Sequence, residues 1–146
     1  MGLLNRALLA AAALQLAATG GALAQNVSGA YVGHVQATHW PATAVSLNAR
    51  QGGGPFPTAN QVTMGYATLR GVRGTCSGYL FGNVAYLNCN NSVVVNGCSG
   101  HYYGPFTFSA GGVSWTFGGE DCRGFEAGNG AAFRITQRAR RHRRAK

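Results

Sequence analysis

Beyond residue 25, hydrophobic and polar residues alternate in short segments and do not recur at helical spacing. These segments are rich in Val, Tyr, Phe, Trp and Thr and are separated by Gly and Asn, which is typical of β-strands joined by tight turns. The pattern predicts strands at residues 29–38, 42–48, 61–70, 76–81, 84–89, 92–95, 98–108, 112–118, 122–127 and 130–137. At this spacing, sequential neighbours can pair directly. We therefore predict an all-β fold, a small antiparallel meander of about 8–10 short strands that closes into a barrel and so leaves no exposed strand edge.

The register of the first central hairpin follows from its turn. Gly82-Asn83 lies between YLF and VAYL and can supply a two-residue turn. Counting outward from this turn places Tyr79 opposite Tyr86 and Cys76 opposite Cys89. The cysteine pair is then a non-hydrogen-bonded pair, in which the Cα atoms approach closely enough for a disulfide. Asn96-Gly97 and, more weakly, Asn90-Asn91 are further predicted turns.

The second hairpin yields the other cysteine pair. A three-residue loop at 109–111 would place Cys98 opposite Cys122. We therefore predict the disulfides Cys76–Cys89 and Cys98–Cys122, one of the three connectivities that four cysteines allow. Each would contribute about 3 kcal/mol in the chain-entropy model. A zinc site is the alternative for these residues, and the absence of a Cys-x-x-Cys spacing argues against it.

Aromatic residues offer the main candidates for binding. Strand alternation puts Tyr79, Phe81 and Tyr86 on one face of the first hairpin. On the second hairpin, the register predicts one face with Tyr103, Val113, Trp115 and Phe117 and an opposite face with Tyr102, Phe106 and Phe108. One interpretation is a core face backed by a Tyr/Ser/Thr surface. The other is a barrel interior or mouth that binds a small apolar or aromatic ligand, with Tyr79, Tyr86, Tyr103 and Trp115 as the ligand-contacting residues.

Glycine recurs in a common frame. The stretches VSGAYVG, CSGYLFG, CSGHYYG and CRGFEAG begin at residues 27, 76, 98 and 122 and share the form x-[Ser/Arg]-Gly-x-x-x-Gly. Two glycines four positions apart lie on the same face of a strand, where the missing side chains let the sheet bend or a neighbouring strand approach. We expect these stretches to begin curved barrel strands.

The N-terminal residues indicate export. Residues 1–24 combine the positive charge of Arg6, a short apolar run at 7–18 and a small-x-small site at Ala22-Leu23-Ala24. This is the pattern of a cleaved secretory signal peptide, and the run is shorter than the roughly 18 apolar residues of a membrane span. All four cysteines follow it, and their even number suits an oxidising compartment. We expect a periplasmic or secreted protein that does not span a membrane.

Positive charge is concentrated at the C-terminus. The formal net charge is +9, but the segment from 25 to 137 holds only five Arg against three acidic residues. Residues 138–146 form a basic tail, predicted to be disordered because like charges repel. Its basic residues are Arg138, Arg140, Arg141, Arg143, Arg144 and Lys146. The tail could bind an anionic surface (lipopolysaccharide, anionic lipid or a polyanion) or simply aid solubility; no motif for specific nucleic-acid recognition accompanies it.

Residues with catalytic chemistry are few. Glu120 and Asp121 are adjacent and would point apart on a strand, Glu126 stands alone, and there is no Gly-x-Ser-x-Gly nucleophile motif. His34 and His39 are separated by an odd number of positions and would face opposite sides of one strand. His101 and His142 complete the histidines. We therefore assign no catalytic residue, no metal and no cofactor, with an unrecognised hydrolase as the remaining enzymatic alternative.

In outline the chain resembles small secreted barrels of the lipocalin or avidin kind. The resemblance is one of architecture and carries over no site residue. An outer-membrane barrel is a rival, but most predicted strands are shorter than the roughly 9–11 residues that a spanning strand needs.

The predicted domains are a signal peptide (1–24), one barrel (25–137) and the tail (138–146). The predicted function is a non-catalytic exported barrel that binds a small apolar or aromatic ligand or a protein partner. The alternative is an envelope-associated accessory protein that acts through its tail.

Overall fold

The computed structural model describes residues 26–93 and 97–136, which form a closed antiparallel β-barrel. The eight strands of these residues are β1 (Gly29–Ala37), β2 (Trp40–Gln51), β3 (Gln61–Thr68), β4 (Arg73–Phe81), β5 (Val84–Val93), β6 (Gly100–Phe108), β7 (Gly112–Asp121) and β8 (Gly124–Arg134). A short 3₁₀ helix, Thr58–Asn60, precedes β3. The predicted all-β barrel is confirmed. The predicted signal peptide and basic tail lie outside the described residues.

The strands follow one another around the barrel in chain order. Each pairs with its sequence neighbours, and β1 closes the barrel by pairing with β8, so that Tyr31 lies opposite Arg134 and Ala37 opposite Gly128. This is the predicted meander, and its closure leaves no free edge. Within the described part of the chain, no helix is long and apolar enough to cross a membrane.

The barrel has eight strands because two pairs of predicted strands are continuous. Strand β5 runs through Asn90-Asn91, so the turn predicted there is wrong. The register between β4 and β5 shifts instead at Arg73/Gly74, as in a β-bulge. Strand β8 likewise spans the predicted strands 122–127 and 130–137.

Glycines at 128 and 130 do not break β8 because neighbouring aromatic rings occupy the space above them. A Cβ atom at Gly130 would lie 2.1 Å from the Trp115 ring, and one at Gly128 would lie 2.4 Å from the Phe117 ring. Each aromatic residue is the direct cross-strand partner of the glycine it covers. Glycines at the break between two predicted strands therefore lie within one continuous strand and make room for two aromatic rings inside the barrel.

The repeated glycine frame marks places where strands approach closely. A Cβ atom at Gly78 would lie 1.9 Å from the carbonyl oxygen of Tyr86, and one at Gly33 would lie 2.0 Å from that of Ala131. Gly78 is the first glycine of its frame and Gly33 is the second of its own. Close approach is thus observed at one glycine of each of these frames. The prediction that each stretch begins a strand is wrong for CSGYLFG, which ends β4 and places Gly82 in the turn with φ 64°.

The first hairpin has the predicted register. In it Tyr79 faces Tyr86 and Cys76 faces Cys89, and the two cysteines form a disulfide with Cα atoms 3.9 Å apart. Leu80, Leu87 and the cysteines point inward, as their alternation predicts.

The second hairpin is displaced by one residue from its predicted register. Ser109 bonds to Gly112 around the turn, so Phe108 pairs with Val113 and Phe106 with Trp115. A shift of one residue exchanges the faces of one strand relative to the other. The predicted face that grouped Tyr103 with Val113, Trp115 and Phe117 is therefore wrong, since these last three point inward with Tyr102, Phe106 and Phe108. The predicted Cys98–Cys122 disulfide is nevertheless confirmed, with Cα atoms 5.2 Å apart. Both cysteines lie just outside the paired residues of β6 and β7, where the shift of register does not separate them.

One end of the barrel is filled by side chains, and we call it the closed end. Val27, before β1, is 0% exposed, and its carbonyl oxygen accepts a 2.7 Å hydrogen bond from the Tyr31 hydroxyl. Its amide donates to the side chain of Gln51 at 3.1 Å. Tyr31 packs edge-on against Phe108, with ring centroids 6.0 Å apart. The N-terminal segment thus seals the interior at this end.

Candidate functional site

The opposite half of the interior contains a cavity. A cavity of about 90 Å³ reaches the end of the barrel formed by the β1–β2, β3–β4 and β7–β8 turns, which we call the open end. Its wall is nearly all apolar. Its main lining residues are Trp40, Tyr66, Tyr102, Phe106, Trp115, Phe117 and Glu126. This space holds several water molecules or a small organic group, and is smaller than the roughly 300–1,000 Å³ typical of drug-sized sites.

Aromatic rings shape the deep part of the cavity. Phe106 and Trp115 are cross-strand partners whose rings stack at 5.5 Å with an interplanar angle of 9°. Tyr102 and Phe117 meet edge-to-face at 5.6 Å. The rings of Trp115 and Phe117 lie over their cross-strand partners on β8, Gly130 and Gly128. They therefore occupy the volume that larger side chains on β8 would fill, and they form this part of the cavity wall.

Glu126 is a carboxylate in this apolar interior. It is 0% exposed, and both of its oxygens contact His39: Oε2 accepts from the backbone N–H at 3.1 Å, and Oε1 lies 2.7 Å from Nδ1 of the ring. The imidazole itself is about half exposed. Hydrogen bonding of this kind is what a buried carboxylate requires. Glu126 therefore holds the β1–β2 turn against β8 at the open end, together with bonds between Thr38 and Ala127.

Two tyrosines supply further polar groups. The Tyr66 hydroxyl donates to the side-chain oxygen of Asn91, and the Tyr102 hydroxyl lies 3.5 Å from a carboxylate oxygen of Asp121. Burial raises the pKa of Tyr102 to about 12, and the charge of Asp121 adds to the effect, as does that of Glu126 more weakly. Burial also raises the pKa of Tyr66 well above its ordinary value. Both phenols are therefore neutral at physiological pH.

Trp40 offers a hydrogen-bond donor with no partner among the described residues. Its Nε1 atom is buried and unbonded, although Trp40 lines the cavity. The guanidinium of Arg123 lies 5.0 Å from the Trp40 ring centroid, and Arg123 is itself beside Asp121. The Trp40 ring thus contacts the Arg123 guanidinium on its outer side and lines the cavity on its inner side.

The structure separates the four aromatic residues predicted to contact a ligand. Trp115 lines the cavity, and Tyr103 contributes to its border although it is 55% exposed. Tyr79 and Tyr86 face solvent on the outer surface, 47% and 60% exposed, because their strand positions alternate with the inward Cys76 and Cys89. The tail residues predicted to bind anionic surfaces lie outside the described part of the chain.

Sequence reasoning missed the polar part of the site. Glu126 and His39 are 87 residues apart, and the bond between them depends on the pairing of β1 with β8. Tyr66 was not singled out, although it alternates in phase with the inward Val62 and Met64. That phase is the one feature of the sequence that could have placed it inside.

Other groups with metal-binding chemistry are already engaged. Cys98, Asp121 and Cys122 lie within 4.8 Å of one another, but both sulfur atoms belong to a disulfide and are not thiolates. His101 is bonded to Asn90 at 2.7 Å, and His34 is exposed on β1.

The disulfides indicate an oxidising compartment.

Comparison with known proteins supports the fold. No protein-family model and no curated protein matches the chain. Among solved structures, the chain is similar to a de novo designed protein described as a fluorescence-activating beta barrel. The TM-score is 0.53 at 16% sequence identity, covering 77% of this chain and 96% of the designed one. At that identity the likeness concerns the barrel architecture.

Proposed function

We propose that this protein is an exported, non-catalytic barrel that binds a small apolar or aromatic ligand in the cavity at its open end. The observation that carries the proposal is the division of one interior into a sealed half and a hollow half. A barrel that served only as a scaffold would gain stability by filling both halves, because empty apolar space forfeits packing contacts.

The lining favours binding over catalysis. Its surface is apolar, with few polar groups, and the carboxylate of Glu126 is already bonded to His39. This is the usual composition of a small-molecule site, in which a few polar groups fix orientation and the apolar wall supplies affinity.

Export is part of the proposal. The two disulfides suit an oxidising compartment, and the sequence of residues 1–24 has the pattern of a cleaved signal peptide. A periplasmic or secreted location would bring the cavity into contact with small molecules outside the cytoplasm.

Intrinsic fluorescence provides a direct test. The chain has two tryptophans, Trp40 and Trp115, and both line the cavity. Titration with small aromatic and aliphatic probes should therefore change the emission of the folded protein. Native mass spectrometry of the purified protein should show a co-purified small molecule or uptake of the same probes.

A matched pair of variants on β1 separates cavity binding from surface binding. Val35→Phe would fill the cavity that Val35 lines, whereas Val32→Phe adds the same bulk on the outer face, where Val32 is 46% exposed. We expect Val35→Phe to abolish the fluorescence response and Val32→Phe to retain it. Equal responses from both variants, with the fold intact by circular dichroism, would show that the probes bind elsewhere and would overturn the proposal.

A further inference from the structure

The charged group in the described cavity wall is negative. The described residues that line it include one carboxylate, Glu126, and neither Lys nor Arg. Arg123 approaches the wall only from behind, where it lies over the outer side of Trp40 and beside the Asp121 carboxylate. A ligand inside the cavity therefore experiences the field of the Glu126 carboxylate, which is bonded to His39 behind the wall, and of no Lys or Arg in the lining.

Aromatic faces add to the same preference. Besides Tyr103 at the border, the aromatic lining residues are Trp40, Tyr66, Tyr102, Phe106, Trp115 and Phe117. The faces of such rings carry negative charge density and attract a cation within about 6 Å. Tyr66 and Tyr102 also present hydroxyl oxygens that can accept from an ammonium group, and both phenols are neutral at physiological pH.

The cost of desolvation favours a cationic ligand over an anionic one in this cavity. A charged group that enters an apolar space loses its hydration and is tolerated only if the wall compensates its charge. An ammonium group is compensated by the Glu126 carboxylate and the rings. A carboxylate of the same size would lose its hydration and also face Glu126 across a medium of low dielectric constant.

We propose that the cavity selects small organic amines in their protonated form over neutral and anionic molecules of the same shape. The ligand class is a primary ammonium group on a short aliphatic chain; a volume of about 90 Å³ is smaller than the cavity of roughly 150 Å³ that holds benzene, so an attached aromatic ring would extend to the open end. Any larger part of the ligand would remain at the open end. This inference rests on the proposed cavity binding and adds the charge of the ligand to it.

Three probes of nearly equal size test the selection in the unmodified protein. Benzylamine is a cation, benzyl alcohol is neutral and benzoate is an anion at pH 7. We expect benzylamine to bind roughly tenfold more tightly than benzyl alcohol by isothermal calorimetry, a difference of about 1.4 kcal/mol. Benzoate should show no binding at the same concentrations.

The variant Glu126→Gln assigns the effect to one carboxylate. It keeps the size and an acceptor oxygen for His39, and it should reduce benzylamine affinity to that of benzyl alcohol. The matched control is Glu120→Gln, since Glu120 is exposed on the outside of β7 and does not line the cavity. The control should keep the tenfold preference.

The outcomes distinguish the amine preference from cavity binding itself. If benzyl alcohol binds as tightly as benzylamine, and Val35→Phe removes both, the cavity is a binding site and the amine preference is wrong. If none of the three probes binds, the proposed function fails as well. Because the comparison of probes needs no variant, it decides the question even if Glu126→Gln does not fold.

Discussion

The hydroxyl of Tyr31 donates a 2.7 Å hydrogen bond to the carbonyl oxygen of Val27, and this bond holds the N-terminal segment inside the closed end of the barrel. Both residues are at most 1% exposed. The bond fixes which half of the interior is filled, because the Val27 side chain occupies space that would otherwise continue the cavity. Among the described residues, the interior is therefore filled at the closed end and contains a cavity towards the open end.

Removal of this bond should destabilise the protein measurably. Tyr31→Phe leaves the Val27 carbonyl buried without a donor, and we expect a loss of about 1–2 kcal/mol in the free energy of unfolding. Urea denaturation followed by circular dichroism would measure it. Tyr79→Phe, at an exposed tyrosine on β4, should change stability by less than about 0.5 kcal/mol. A loss of similar size in both variants would contradict the role of the bond.

Close strand approach at Gly78 gives a second prediction. A Cβ atom there would lie 1.9 Å from the backbone oxygen of Tyr86, which cannot move without disturbing the ladder. Gly78→Ala should therefore lower the free energy of unfolding by about 1–3 kcal/mol. Gly65 lies on β3, and a Cβ atom added to it would meet no atom within 4 Å, so Gly65→Ala should be neutral or slightly stabilising. Thermal unfolding of the two variants compares them directly, and equal effects would be the contrary result.

Stability should fall steeply in alkaline solution. The pKa of Tyr102 is about 12 in the folded protein against an ordinary value of 10.0, and burial also raises that of Tyr66. Between those values the unfolded chain loses the phenolic proton while the folded chain keeps it. The unfolded state then binds fewer protons, so the free energy of unfolding decreases as pH rises from about 10 towards 12 and is unaffected below about pH 9.

The alkaline effect can be assigned to the buried phenols. Tyr102→Phe should flatten the decline in urea midpoints measured between pH 8 and pH 11, because Phe has no proton to lose. Tyr79→Phe, whose hydroxyl is on the exposed face of β4, should leave the slope unchanged. A Tyr102→Phe variant with the slope of the unmodified protein would show that burial of this phenol is not the cause.

The basic tail can be tested independently of the cavity. Strand β8 ends at the closed end, where the Ile135 amide donates to Ala30 at 2.8 Å, and 11 residues of strand separate that point from the open end. At about 3.3 Å per residue, roughly 30 Å of strand lies between Arg134 and the open end. Deletion of residues 138–146 should therefore abolish retention on anionic vesicles or heparin at low salt and leave probe binding unchanged. A same-length variant with its six basic residues changed to Gln separates charge from length, and unchanged retention in either variant would rule out the tail as the binding element.

Local features were predictable from the sequence because their causes are local. Alternation along each strand and a glycine at the turn determine the register of a hairpin, and counting from Gly82-Asn83 was sufficient to pair Cys76 with Cys89. The same counting failed at 109–111, where the Ala110-Gly111 turn is one residue shorter than the predicted loop. A single-residue error of that kind separates Tyr103, which lies on the outer surface, from the inward residues with which it was predicted to share a face.

The sequence by itself determined the all-β meander and the Cys76–Cys89 disulfide, since these follow from spacing and alternation over neighbouring segments. The Cys98–Cys122 disulfide was also predicted, although from a register that is one residue away from the observed one. Only the tertiary structure decided the register in which β1 pairs with β8, which brings Glu126 against His39 across 87 residues. It also decided that Val27 fills one end of the interior and that a cavity of about 90 Å³ remains at the other. The physical reason is that alternation specifies which side chains point inward, whereas an empty volume depends on how all of those side chains together fill a space whose shape is fixed only when the barrel closes.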